Sequence, residues 1–161
     1  MSLLAGAARV LFLLTLSVWL GSVVFMSLVV APTLFLSFPV EEAGRVASAL
    51  FPIYYRVGAA GGGVLLLTAL TLRRVTRRSA WTLVSVLAAT MLTATVYAGL
   101  VVQPRAQALR PQLHQVDVPD TVKAEFDDLH HRAVQLNGAV LVGGLAIAVI
   151  AGVTLRHPDT R

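Results

Sequence analysis

Apolar residues run along this chain in four long stretches, and its 21 fixed charges fall only in the gaps between them. The charge-free runs are Val10–Val40, Val57–Leu72, Ser79–Pro104 and Ala133–Leu155. A water-soluble core demands no such segregation, but a bilayer does. A spanning helix needs about 20 mostly apolar residues, and a charge at the bilayer centre costs at least about 2.5–3.5 kcal/mol. The pattern predicts an all-α integral membrane four-helix bundle, one domain over residues 1–161, with helices at about 8–31, 51–73, 80–103 and 120–155.

The gaps refine this outline. The first run extends well past the roughly 7–15 residues of a signal-peptide core and shows no small-x-small cleavage site, so it reads as a retained helix that stops near Pro32. After it, Val40, Ala43, Val46, Ala47 and Leu50 recur at helical spacing opposite Glu41, Glu42 and Arg45. That pattern predicts a short amphipathic helix on the outer surface, between the first and second spans. Pro52 then opens the second helix, Arg56 snorkels to the interface, and Gly58 and Gly62 permit close approach of another helix. Asp120 is an N-cap candidate for the last helix. With no breaker from Thr121 to Leu155, that helix is about 35 residues, or about 50 Å, and projects beyond the membrane on the outer side. No internal repeat stands out.

Charge fixes the orientation. The chain is 161 residues long, 57% hydrophobic and 13% charged. Four spans put the N-terminus, the Arg73–Arg78 loop and the C-terminus on one side, with a net charge of +6, against −1 on the other. The positive-inside rule makes both termini cytoplasmic, and the protein is expected in a bacterial cytoplasmic, or plasma, membrane. The isoelectric point near 10.7 is therefore a topology signal and not a nucleic-acid signal. Arg73, Arg74, Arg77 and Arg78 point to anionic lipid headgroups as partners, within the lipid bilayer itself.

Little chemistry is on offer. There is no cysteine, which excludes disulfides, thiolate metal sites and cysteine nucleophiles. No Ser/His/Asp set at membrane depth, no H-E-x-x-H and no carboxylate pair marks an enzyme, so none is expected. The polar exceptions cluster at the outer edge of the fourth run. Phe126, His130, Asn137, Gly144, Ala148 and Gly152 share one helical face, and the small residues mark it as the packed one. Asn137 must then find a partner. One option is an interhelical hydrogen bond. The other is a polar ligand site at the outer mouth, formed with His130, Gln103 and the third-helix hydroxyls Thr93 and Tyr97. Arg105 and Tyr54 lie at the same level. Trp19 sits too deep for an aromatic belt and either fills the core or lines a cavity.

Several of these residues resemble a known family. Trp19-Leu-Gly21, Pro32-Thr-Leu-Phe35, Gly44 and Leu50-Phe-Pro-Ile-Tyr-Tyr55 are similar to the first half of the transmembrane protein 205-like family, also known as domain of unknown function 4149. Gln103-Pro104-Arg105 resembles its proline–arginine step, and Phe126, His130 and Asn137 resemble its aromatic–histidine–asparagine pattern. The likeness departs at Leu20 and Arg132. It implies a four-helix membrane protein without a settled activity; a link of animal members to platinum-drug resistance implies transport or trafficking. A more distant likeness to copper resistance protein D and HemJ-type haem-pathway oxidases keeps haem or copper open as a cofactor.

Three functions follow as expectations. The first is non-enzymatic binding or transport of a small solute, ion or lipid through the outer polar site, with no cofactor and with a homo-oligomer where a pathway is needed. The second is a haem- or copper-binding redox protein, for which His130 is the best metal candidate. Bis-histidine haem needs histidines on facing helices, and the first three have none. The third is a structural subunit of a membrane complex.

Overall fold

The computed structural model describes residues 3–114 and 117–156, and nearly all of them are helical. Four helices are long and apolar enough to cross a membrane. Helix α1 is Leu3–Ser37, α2 is Val40–Thr76, α3 is Ala80–Tyr97 with its continuation to His114, and α4 is Asp120–Arg156. Consecutive helices pack as neighbours, and α4 closes the ring against α1.

Three prolines expected to bound helices lie within them instead. Pro52 sits inside α2, so the amphipathic segment starting at Val40 is not a separate surface helix but the outer end of α2. Proline removes the N–H that would bond the carbonyl four residues back. For Pro52 that carbonyl belongs to Ser48, and the side-chain amide of Gln107, from α3, donates to it at 2.8 Å. Pro32 and Pro104 are accommodated differently. Each follows a π turn, Met26–Val30 in α1 and Ala98–Val102 in α3. There the Ala31 N–H reaches Met26 O and the Gln103 N–H reaches Ala98 O, five residues back and not four. The wider turn makes room where the proline ring would meet a carbonyl. Hence α1 runs on to Ser37 and α3 through Gln103–Leu109 and a 3₁₀ turn at Arg110–His114.

The two π turns expose a repeat. Leu28-Val-Val-Ala-Pro32 and Leu100-Val-Val-Gln-Pro104 share four of five residues, and each begins within a π turn and ends on the proline beyond it. The helix that follows is 37 residues long in both halves. The chain thus repeats a π turn, a proline and a 37-residue helix in each half, with α1 and α3 running in the same direction.

The core is apolar and includes Phe12, Leu16, Trp19, Leu65, Trp81 and Ile147. Phe12 and Trp81 meet edge to face at 5.1 Å. Trp19 fills the core, as one of its two expected roles required, because α2 gives it room. A Cβ on Gly62 would come within 2.9 Å of the Trp19 ring and 3.0 Å of Leu92, and one on Gly58 within 3.3 Å of the indole nitrogen. The small-residue pair in α2 is therefore the socket for Trp19. On α4, Gly144 receives Leu20 in the same way.

At its other end α2 finishes on Arg77, a left-handed cap whose N–H bonds Arg73 O at 3.0 Å. Arg78 donates to Thr154 O of α4 at 2.7 Å, which ties the basic loop to the bundle. Arg73, Arg74 and Arg77 are exposed.

Gly62→Leu should overpack the socket and destabilise the protein by about 1–3 kcal/mol. Pairing it with Trp19→Ala should recover part of that loss, read as thermal unfolding of the detergent-purified protein.

Candidate functional site

The end of the bundle where α1 finishes and α2 begins carries two polar groupings, and they differ in kind. The inner one is a closed relay. Tyr54 Oη donates to Asn137 Oδ1 at 2.6 Å, Asn137 Nδ2 donates to Ser27 Oγ at 2.6 Å, and Ser27 Oγ donates to Val23 O at 2.7 Å. The relay joins α2, α4 and α1. Asn137 finds its partner by an interhelical hydrogen bond, one of the two options its position left open. Tyr54 also meets Tyr55 edge to face at 5.2 Å. Tyr55 is buried against Gly99, where a Cβ would lie 2.7 Å from its own.

The other sequence candidates separate from this relay. His130 is exposed, because the turn that buries Leu129 points its neighbour outward; it does not share a packed face with Asn137. Its ring centroid lies 6.3 Å from that of His131. Thr93 and Tyr97 are exposed and border a shallow groove of about 460 Å³ with Leu136, on the outside of the bundle. The hydroxyls of Ser85, Thr93 and Thr95 bond carbonyls of their own helix. Gln103 is half-buried and Arg105 exposed. Among the described residues, no three metal-ligating side chains converge.

The second grouping lies beyond the apolar runs. Here the outer end of α2 and the continuation of α3 border a cavity of about 800 Å³, with Glu41, Glu42, Arg45, Ser48, Gln107 and Arg110 on its walls. Arg110 defines it. Its guanidinium rests on the backbone at Gly44, where a Cβ would collide with it, and stands 5.9 Å from the Phe126 ring centre. Apart from this ring contact, Arg110 has neither a hydrogen bond nor a salt bridge among the described residues. Partial burial lowers its pKa, yet guanidinium stays charged at neutral pH. Arg45, by contrast, faces Glu42 at 3.7 Å and is largely exposed. Gln107 commits its amide N–H to Ser48 O and keeps its side-chain carbonyl oxygen as an acceptor.

Ser27, Gln107 and Arg110 are absent from the sequence-derived candidates. Pro52 offered a signal for Gln107, since an internal proline always frees a carbonyl. Gly44 offered one for Arg110, since a buried glycine marks a close approach. Ser27 gave no signal before the π turn placed it.

A family model described as Domain of unknown function (DUF4149) matches residues 14–115, more than half of the chain. The matched stretch includes Ser27, Gly44, Tyr54, Gln107 and Arg110, and it ends before Asn137. No curated protein and no solved structure matches the chain.

Asn137→Leu should cost about 1 kcal/mol of stability, and a double-mutant cycle with Tyr54→Phe should show a coupling of about 0.6–1.7 kcal/mol. Reversible unfolding in detergent measures both.

Proposed function

The chain belongs to the DUF4149 family, and from that premise we propose that it is a non-enzymatic integral membrane protein holding a small polar ligand at the outer mouth of its bundle. The observation that carries this is Arg110. A half-buried guanidinium brings five N–H donors into a recess, and none of them has an acceptor among the described residues. Donors that border an open recess can exchange water for a bound acceptor. Binding is proposed ahead of transport because Trp19, Leu16 and Phe12 pack the middle of a single bundle. A solute path would need a second copy or a rearranged bundle.

The same reading places the cavity on the non-cytoplasmic face. The supporting observation is the charge difference across the runs. Exposed Arg73, Arg74 and Arg77 would then meet anionic headgroups on the cytoplasmic side.

Thermal shift of the purified protein against amino acids, amines, phosphate monoesters and short-chain lipids tests the binding reading. At least one compound should stabilise the native chain. Arg110→Gln should abolish that effect, while Arg105→Gln, a charge outside the cavity, should leave it. No stabilisation by any compound would count against the proposal. The absence of cysteine makes topology directly testable. Ser79→Cys should react with a membrane-impermeant thiol reagent only after cells are opened, and Glu125→Cys should react in intact cells.

A further inference from the structure

The charges on the cavity walls specify more than an anion. Arg110 and Arg45 supply two positive charges, and Glu41 and Glu42 supply two negative ones. A bare anion drawn to Arg110 would also meet the carboxylates of the first turn of α2. A bare cation drawn to those carboxylates would meet Arg110. A ligand carrying both signs satisfies both walls.

We propose that the cavity binds a zwitterion, with a phosphate or carboxylate on the Arg110 fork and an ammonium group toward Glu42. This rests on the outer-mouth binding reading above and names its ligand class. The fork geometry suits a two-oxygen anion, which takes parallel N–H···O bonds where an ammonium ion would act only as a point charge. The site is held in place rather than draped over the surface. Gly44 lets the guanidinium settle onto the backbone, the Phe126 ring flanks it, and the Gln107–Ser48 bond fixes α3 against α2 beside it. Ser48 Oγ donates to Gly44 O, so its lone pairs remain as acceptors for an ammonium group, as does the Gln107 carbonyl. The cavity opens just beyond the apolar runs, at headgroup level. The same chemistry is therefore offered by a free phosphoamine and by the phosphoethanolamine headgroup of a lipid.

The test is calorimetry on the full-length protein in detergent, with O-phosphoethanolamine, inorganic phosphate and ethanolamine as probes. O-phosphoethanolamine should bind about tenfold or more tightly than either fragment, the equivalent of about 1.4 kcal/mol for the second ionic contact. Glu42→Gln should erase most of its advantage over phosphate. Arg110→Gln should abolish binding of both, and Arg110→Lys should restore only part. In a second arm, the protein in nanodiscs should retain phosphatidylethanolamine over phosphatidylglycerol, with the preference lost in Arg110→Gln. Success in the first arm alone identifies a soluble ligand, and success in the second alone identifies a lipid; either supports the zwitterion. Phosphate binding as tightly as O-phosphoethanolamine, with no lipid preference, overturns the zwitterion but leaves outer-mouth binding standing. No probe binding in either arm, with Arg110→Gln indistinguishable from the native chain, overturns both.

Discussion

A peptide carbonyl inside a bilayer has no water to turn to, and an unsatisfied one costs several kcal/mol. This chain nevertheless places Pro32, Pro52 and Pro104 within its helices, and each removes a backbone donor. Much of the outer half follows from how that deficit is met. For Pro52 a side chain from another helix, Gln107, supplies the missing donor, so the repair also docks α3 on α2. For Pro32 and Pro104 the backbone opens into π turns. The turn in α1 contains Ser27, which then meets Asn137. The turn in α3 contains Gly99, which gives Tyr55 room to seat.

Below this level the bundle is held by shape. Lipid tails are as apolar as leucine, so helices in a membrane gain little from burying apolar surface against one another, and close packing has to do the holding. The glycines of α2 and α4 set that closeness, each matched to a particular large side chain: Gly62 to Trp19, Gly144 to Leu20. The polar relay through Asn137 then fixes α1, α2 and α4 together where the aromatic packing ends. Beyond the relay, Gly44 and the Phe126 ring seat Arg110 beside the recess.

The four spans were legible because charge and hydrocarbon exclude one another, a rule that needs no tertiary knowledge. So were the partnered Asn137 and the Gly58–Gly62 socket, since a buried amide and a small-residue pair each demand a neighbour. The helix ends were not legible. Pro32, Pro52 and Pro104 are breakers by local propensity, and only tertiary and π-turn compensation lets the helices pass through them. His130 misled because sharing a helical face with Asn137 does not ensure that a neighbouring helix covers that face at its own level, where Leu129 is buried and His130 exposed. Arg110 escaped because its neighbours Gly44, Gln107 and Phe126 come from distant parts of the sequence.

The repeated Leu-Val-Val-x-Pro segment carries a consequence of its own. Two hairpins that cross in the same direction match a repeat about an axis along the membrane normal and not one within its plane. Such a pair has equivalent faces but a fixed inside and outside, so the protein has polarity without handed duplication of its mouths. Its specialisation must then lie where the halves have diverged. Trp19 in the first hairpin corresponds to Met91 in the second, and Ser27 to Gly99. Gly99 and Gly144 of the second hairpin receive Tyr55 and Leu20 of the first, whereas Trp19 is seated within its own hairpin, so the first half keeps both a bulky side chain and its hollow.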